Sequence, residues 1–367
     1  MTLIQRKPAL TRGLLRSGNR IYLLPRDIVT GEAARAGIAF GTARPLAGGA
    51  SAYHALDLIV RTDDGIQVVR TSLAALDSLD LPDIETRLER LGAKRALIDD
   101  AGLPMLMGIV NATPDSFSDG GQHADAESAI AHGLRLSQEG ATILDIGGES
   151  TRPGADPVSI GEEIRRTEPV VRALAGAGHS VSIDSRNAPV MAAALDAGAA
   201  WVNDVSGLTH DSAASALVAE RGCPVVLMHM RADPKTMQLE PSYQCAPLDV
   251  YDELEERVAA AVAAGIARDR IVIDPGFGFA KSTTHNLEVT SWLALFHGLG
   301  CPVLFGASRK SSIGQMSRGE PVGERLPGSL ALGLAAAARG AQILRVHDVG
   351  ETMQALAVQR ALDAVDQ

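Results

Sequence analysis

From residue 103 onward, short apolar runs alternate with longer amphipathic stretches. There are eight runs, at 105–110, 142–146, 180–184, 200–203, 224–228, 271–274, 302–305 and 342–346, and each is followed by a polar or Gly-rich segment. Short, continuous apolar runs are typical of strands that are buried on both faces, as in a parallel sheet. The pattern therefore predicts eight parallel strands.

The stretches between the runs predict helices. The segment 159–176 opens with Ser159 and Glu162, which are spaced as a capping box. Eight strands that alternate with helices over about 265 residues match the size of a (β/α)8 barrel. We therefore predict an α/β chain with a TIM-type (β/α)8 barrel over residues 99–367. A doubly wound open sheet is the alternative.

Residues 1–98 have a different pattern. Two alternating runs meet at Asp64 and Gly65, which is a strong hairpin signal, and Ile84, Leu88 and Leu91 share one helical face. We predict an N-terminal α+β extension of unknown role. Because it has no cluster typical of catalysis, we expect its deletion to leave the chemistry intact if the product stays soluble.

Composition excludes several classes of protein. The chain has 46% hydrophobic and 21% charged residues, which is typical of soluble globular proteins, and no apolar run is long enough to span a membrane. A net charge of -10 argues against a general nucleic-acid binder. Cys223, Cys245 and Cys301 are odd in number and widely spaced, which is typical of a reducing compartment. We expect a cytoplasmic location, although the basic stretch before Asp27 weakly resembles a transit peptide.

Polar residues lie directly after the predicted strands. They are Asn111, 149–152, Asp184, Asn203, His229 after Met228, Asp274, 308–310, Arg345 and His347. Taken singly, an Asp or Asn after a strand is more often a helix cap or a turn residue. In a (β/α)8 barrel, however, all strands end at one face, so these side chains would converge in one pocket.

The converging residues form two chemical groups. Asp184, Asn203 and Asp274 offer acceptors and an amide, which suit a flat heterocycle with ring N–H and amino groups. The second group offers positive charge and hydrogen-bond donors, which suit a phosphate or diphosphate. It consists of Ser308, Lys310, Arg345 and His347. A heterocycle joined to a diphosphate would fill both halves.

Eight segments in order resemble the signatures of dihydropteroate synthases. They are MGIVNATPDSFSDGG, DIGGESTRPGA, VSIDS, VNDVSG, LMHM, IDPGFGFAK, GASRKSSIG and RVHDV, between residue 105 and about residue 365. Short pieces such as DPG or SRK carry little information, whereas the ordered set is specific. The resemblance implies a (β/α)8 enzyme of folate biosynthesis that is a sulfonamide target. Such an enzyme condenses 6-hydroxymethyl-7,8-dihydropterin diphosphate with p-aminobenzoate to give 7,8-dihydropteroate and diphosphate.

The resemblance also implies residue roles. The pterin site would comprise Asp184, Asn203, Met228, Asp274, Phe279, Gly306 and Lys310. The p-aminobenzoate site would comprise Phe117, Thr151, Arg152, Pro153 and Ser308. Arg345 and His347 would hold the diphosphate, Asn111 would ligate Mg²⁺, and Asp119 would belong to a mobile loop. Asp184, Asp274, Lys310, Arg345 and His347 would be catalytic, and the enzyme would be a homodimer.

Two departures and three alternatives stay open. Ala112 stands where the family usually has a branched residue, and many members lack the N-terminal extension. A pterin-dependent methyltransferase domain would share the aspartates but would not need the SRK and RVHD segments. A Schiff-base aldolase would use Lys310 as its nucleophile, whereas a non-catalytic pterin-binding partner subunit would release no diphosphate.

Overall fold

A computed structural model describes residues 4–7, 19–48, 51–77, 82–98, 103–112, 121–149, 158–231 and 241–365 of the chain. The N-terminal strands are β1 (Ile4–Lys7), β2 (Arg20–Thr30), β3 (Arg44–Leu46), β4 (Ser51–Thr62) and β5 (Gly65–Ser72). The accompanying helices are α1 (Gly31–Ala39), α2 (Leu73–Asp77) and α3 (Pro82–Gly92). The predicted α+β character of the extension agrees with these elements.

The N-terminal strands form one sheet in the order β1-β5-β4-β2, with β3 paired to β4. Antiparallel β4 and β5 make the predicted hairpin, in which Thr62 lies opposite Gly65. The turn residues are therefore Asp63 and Asp64, one position earlier than the sequence signal suggested. Gly65 has a φ of +133°, a conformation that side-chain-bearing residues rarely adopt.

The two faces of this sheet are covered by different partners. Residues such as Tyr22 and Ile59 belong to the core shared with the barrel, whereas their neighbours Leu23 and Leu58 pack with α3. This division follows from the alternation of side chains along a strand. In α3 the predicted face is buried through Ile84 and Leu91, with Leu88 packed beside them.

The barrel strands coincide closely with the predicted runs. They are β6 (Met105–Asn111), β7 (Ile143–Gly147), β8 (Val181–Asp184), β9 (Trp201–Asp204), β10 (Val225–Met228), β11 (Ile271–Asp274), β12 (Leu304–Phe305) and β13 (Ile343–Val346). The helices are α4 (Gly121–Gln138), α5 (Ile160–Gly176), α6 (Ala188–Asp196), α7 (Ala214–Arg221), α8 (Ala246–Ala263), α9 (Thr283–Ser291), α10 (Ser311–Met316), α11 (Leu326–Ala337) and α12 (Val349–Asp363).

The eight barrel strands are parallel and closed. Their order is β11-β10-β9-β8-β7-β6-β13-β12, and a parallel bridge between Ile273 and Val303 joins the two ends. Each strand therefore lies beside its neighbours in sequence, as a (β/α)8 barrel requires. The predicted barrel is confirmed, and the doubly wound sheet is wrong because an open sheet has two edges that do not meet.

Residues that precede the first barrel strand pack against the amino-terminal end of the barrel. Trp201, Val272 and Ile343 form part of a buried cluster there, and Leu97 and Ile98 pack against it. The boundary after residue 98 stays a prediction, because residues on both sides of it contact the barrel core.

The helices show two further features. Ser159 caps α5 by accepting from the backbone N–H of Glu162, which is the N-cap half of the predicted capping box. The Glu162 carboxylate accepts from Arg166 Nε at 2.7 Å. Within the described ranges, no helix combines the length and apolar character needed to cross a membrane.

Candidate active site

The strand-end residues lie at one end of the barrel. Asp184 closes β8 and lies between Gly147 of β7 and Asn203 of β9 in the strand registers. Met228 lies opposite Asp274 at the ends of β10 and β11. Parallel pairing brings residues that are far apart in sequence into one ring, because all eight strands end on the same side.

Arg345 connects three strands at this end. Its Nε donates to Asp145 Oδ2 at 2.6 Å, and its Nη2 donates to Asp184 Oδ2 at 2.6 Å. Asn203 Nδ2 donates to the same Asp145 oxygen at 2.9 Å. Asp145 is fully buried, and its Oδ1 has no hydrogen-bond partner among the described residues.

The sequence analysis missed Asp145 because it lies inside an apolar run. The strand-end pattern predicts functional residues only after the runs, and Asp145 is third in the five-residue strand β7. A lone carboxylate in an otherwise apolar strand was the available signal, since unpaired charges are almost never buried.

Burial and charge oppose each other at Asp184. Burial raises the pKa of its carboxyl to about 7, while Arg345 acts to lower it. Burial alone would lower the pKa of Arg345, but Asp145 and Asp184 raise it above its usual value. Arg345 is therefore a permanent cation, and its contact with Asp184 favours the ionised carboxylate against the effect of burial.

Lys310 and Asp274 form a second charged group. Lys310 Nζ donates to the carbonyl of Phe277 and lies 4.4 Å from the ring centroid of Phe279. Burial lowers the pKa of Lys310 to about 8, with Asp274 opposing the change, and burial raises the pKa of Asp274, with Lys310 opposing. A Cβ on Gly278, which has a φ of +80°, would lie 2.9 Å from Lys310 Cδ, so glycine leaves room for the lysine stem.

Apolar side chains border these polar groups. Met228 belongs to a small buried cluster with Val205 and Ala280, and Phe279 packs against it. On the other side, a Cβ added at Gly306 would be 3.5 Å from Arg345 Cβ, which is ordinary contact. The residues predicted to form walls thus lie close to the charged groups, as a pocket for a flat ring needs.

His347 lies outside β13 and contacts Ser308. Its Nδ1 is 3.0 Å from Ser308 Oγ, and its backbone N–H donates to the same oxygen at 3.2 Å. Arg345 lies within β13 and contacts the carboxylates instead. Arg345 therefore joins the two chemical groups that the sequence had separated.

A buried lysine was also missed. Lys281 Nζ donates to His229 Nδ1 at 2.9 Å and to the carbonyls of Gly276 and Phe279, each at 3.1 Å. His229 Nε2 in turn donates to Glu253 Oε2 at 3.0 Å. Burial and Lys281 lower the pKa of His229 to about 3, and burial lowers that of Lys281 well below its usual value. Lys281 ends the segment IDPGFGFAK, and the sequence pattern alone predicts no role for it.

Some predicted residues fall outside the described part of the chain. They are Phe117, Asp119, Thr151, Arg152 and Pro153. Asn111 is described: it ends β6, lies opposite Gly147 and is half-buried. No group of three His, Cys, Asp or Glu side chains in the described ranges could hold a metal ion by itself.

Comparisons with known proteins identify relatives of the barrel. A family model described as pterin binding enzyme matches residues 107–347. The dihydropteroate synthase of Escherichia coli K12 is 46% identical over 263 residues, which cover 71% of this chain and 93% of that protein. The family match begins at residue 107, so the N-terminal sheet lies outside it.

Solved structures agree with this match. The Xanthomonas albilineans dihydropteroate synthase with 4-aminobenzoic acid has a TM-score of 0.68 and 48% identity, covering 73% of this chain and 98% of that one. The Yersinia pestis dihydropteroate synthase in complex with a sulfonamide drug has a TM-score of 0.69 and 44% identity, covering 74% and 98%.

Proposed function

The chain belongs to the pterin-binding enzyme family, among the dihydropteroate synthases, and we propose how its pocket performs their reaction. The reaction condenses 6-hydroxymethyl-7,8-dihydropterin diphosphate with p-aminobenzoate and yields 7,8-dihydropteroate and diphosphate. The chain is thus a transferase of folate biosynthesis. The main structural support for this reaction is the network of Arg345, Asp145, Asp184 and Asn203. Lys310 and Asp274 are buried nearby and influence each other's pKa. The methyltransferase, aldolase and non-catalytic alternatives lose their support, because the relatives are synthases.

The pterin ring would bind between these two charged groups. Asp184 and Asp274 would accept hydrogen bonds from ring N–H and amino groups, and the Asn203 amide would supply a further polar contact. Phe279 and Met228 would cover the faces of the ring. Lys310, whose Nζ lies over the Phe279 ring, would also contact the pterin, and Gly306 would lie at the edge of the site.

His347 and Arg345 would hold the diphosphate. The positive charge of Arg345 and a hydrogen bond from His347 would stabilise the negative charge that develops as diphosphate leaves. Asn111 fits a magnesium site completed by substrate oxygens, because Mg²⁺ usually combines few protein ligands with substrate phosphates and water. Bound Mg²⁺ would supply further neutralisation of the leaving group.

Bond breaking and bond making would occur at the exocyclic carbon of the pterin. The C–O bond breaks with its electron pair going to diphosphate, and the positive charge left on the carbon spreads into the pterin ring. Asp184 and Asp274, bonded to ring N–H groups, would stabilise that charge. The p-aminobenzoate amine then forms the C–N bond and loses a proton, so no covalent enzyme intermediate is needed.

The p-aminobenzoate side of the pocket is proposed on family resemblance. Its residues would be Phe117, Thr151, Arg152, Pro153 and Ser308, with Asp119 in the closing loop. Of these, Ser308 has structural support through its contact with His347. Sulfonamides would compete with p-aminobenzoate here.

The test is product formation by the purified full-length chain. Mixing pterin diphosphate, p-aminobenzoate and Mg²⁺ should release diphosphate and form dihydropteroate, and omission of either organic substrate should abolish both. Asp184→Ala should weaken pterin binding by about 1.5–3 kcal/mol, because a charge-assisted hydrogen bond is lost. Absence of diphosphate release from the folded wild-type chain would refute the proposed reaction.

We also propose a cytoplasmic homodimer. The three cysteines are free and buried, which is typical of a reducing compartment. Val358 and Leu362 are exposed one turn apart on α12, where a second copy could cover them. Light scattering of the purified chain measures the oligomeric state directly.

A further inference from the structure

The N-terminal sheet is attached to α8 by ion pairs. Arg61, near the end of β4, pairs with Asp249 at 2.5 Å and with Asp252 at 3.1 Å. Arg20, its cross-strand partner on β2, pairs with Asp252 at 2.7 Å and with Glu255 at 2.5 Å. Both arginines hold the same helix, but only Arg61 reaches Asp249 in its first turn.

Asp249 is also tied to the loop that precedes α8. While its Oδ1 accepts from Arg61, its Oδ2 accepts from the backbone N–H groups of Gln244 at 2.7 Å and Cys245 at 3.3 Å. Cys245 is the N-cap residue and makes no side-chain cap of its own. The Asp249 carboxylate therefore satisfies backbone donors at the helix entry, and Arg61 fixes that carboxylate.

Tyr243, the residue before Gln244 in this loop, contacts the pterin side of the barrel. Tyr243 donates its hydroxyl hydrogen to the carbonyl of Ala280 at 2.9 Å, and its ring packs edge-on against His285 at 4.9 Å. Ala280 has a φ of +49°, a left-handed conformation that costs free energy in any residue with a side chain. Such a conformation persists where neighbouring contacts hold it.

Ala280 lies between two residues that shape the pocket. Phe279 places its ring 4.4 Å from Lys310 Nζ, and Lys281 donates to the Phe279 carbonyl at 3.1 Å. A change in the Ala280 backbone would move the Phe279 ring relative to Lys310. The contacts thus run without a gap from the N-terminal sheet to the proposed pterin wall.

We propose that the N-terminal extension is an intramolecular brace for the pterin site, in which Arg61 acts as a positioning residue through Asp249, Tyr243 and Ala280. None of these four residues is proposed to touch the substrate. The brace rests on the proposed function, since it concerns affinity for the pterin diphosphate.

The test compares two full-length variants, Arg61→Met and Arg20→Met. Each loses ion pairs to α8, so each should lower the melting temperature by a similar amount. Arg61→Met should also raise the KM for pterin diphosphate by about fivefold to tenfold while kcat stays near its original value. Arg20→Met should leave this KM within about twofold, because Arg20 does not contact Asp249. Arg61→Lys should restore part of the affinity.

Tyr243→Phe provides an independent variant if Arg61→Met folds poorly. It removes only the hydroxyl that holds Ala280, and it should raise the same KM. Because both changes act on one chain of contacts, the double variant should be less impaired than the sum of the single effects. Calorimetry with a pterin that lacks the diphosphate, and therefore cannot react, should show the same losses of affinity.

Two results would refute the proposed brace, and a third would refute the proposed function. Unchanged pterin affinity in both Arg61→Met and Tyr243→Phe would show that the extension is attached without positioning the pocket. Equal KM changes in Arg61→Met and Arg20→Met would assign the effect to general loosening of α8. Failure of the wild-type chain to release diphosphate would instead refute the proposed function, which separates the two results.

Discussion

Two fully buried aspartates, one in each part of the molecule, are paired in different ways. Asp57 of the N-terminal sheet accepts from Arg26 Nε on one oxygen at 2.7 Å and from Arg70 Nε on the other at 2.5 Å. Asp145 of the barrel receives both Arg345 and Asn203 on Oδ2, while Oδ1 has no partner among the described residues. Both oxygens of Asp57 thus accept hydrogen bonds from the protein, whereas Asp145 keeps one oxygen available as an acceptor near the pocket.

This difference in hydrogen bonding indicates that Asp57 contributes to stability and Asp145 to function. A buried carboxylate whose two oxygens are both paired stabilises one arrangement of the chain, and breaking that arrangement is costly. A buried carboxylate that keeps an open acceptor costs stability and is retained where a ligand or a positioned side chain uses it. We therefore expect changes at Asp57 to affect folding and changes at Asp145 to affect the substrate.

The largest effect is expected from Asp57→Ala. It leaves Arg26 and Arg70 without their shared acceptor, so the free energy of unfolding should fall by about 3 kcal/mol. Denaturant unfolding measures this loss. The control is Asp27→Asn, which removes the charge of the exposed 3.4 Å pair with Arg70 but keeps a side chain suited to the φ of +53° at this position, so it should change stability by less than about 0.5 kcal/mol. A similar small loss in both variants would contradict the assignment of Asp57 to stability.

A smaller effect, on binding, is expected from Asp145→Asn. Arg345 keeps its bond to Asp184 but loses a charged anchor, so pterin affinity should fall by about 1.5 kcal/mol, with little change in unfolding. Calorimetry with the pterin measures the affinity, and Asp57→Ala below its melting temperature serves as the control with normal affinity. If Asp145→Asn binds pterin normally, the contrast between the two aspartates fails.

The smallest expected effect is a pH shift in Arg345→Met. Pterin binding needs the Asp184 carboxylate, so affinity should fall as pH decreases through the pKa, which burial raises to about 7. Arg345 opposes this rise, and without it the pKa should increase further, so the fall in affinity should begin at higher pH, by about one unit. Titration of pterin affinity from about pH 6 to about pH 9 tests this prediction.

The control for the pH experiment is Arg172→Met, which removes an exposed pair with Glu168 on α5. This variant should retain the wild-type profile. A shift to lower pH in Arg345→Met would mean that Arg345 does not stabilise the ionised form of Asp184.

The sequence determined the barrel because its signals are local and repeated. Eight short apolar runs with polar ends predicted strands such as Met105–Asn111 and Ile271–Asp274 with errors of one or two residues at the ends. The positions of Asp184, Asn203 and Asp274 at one face followed from topology alone, since parallel strands end together.

Only the tertiary structure decided which of these side chains pair. Arg345 and His347 are two residues apart, but β13 ends between them, and the first reaches Asp145 and Asp184 while the second contacts Ser308. The partners of a long side chain depend on its distance from other groups across the barrel and on its burial. The strand period of two residues and the helix period of 3.6 residues predict neither.

The N-terminal extension shows the same limit. Its hairpin was predicted from local turn chemistry, and its deletion was expected to spare the chemistry because it contributes no strand-end residue. That expectation, which held only for a soluble product, stays a prediction. Because Tyr22 and Ile59 pack in the barrel core and Arg61 pairs with Asp249, we expect truncation to impair folding and pterin affinity. The contact between Arg61 and Asp249 joins segments 188 residues apart. It depends on how two folded surfaces pack together, which local sequence patterns do not predict.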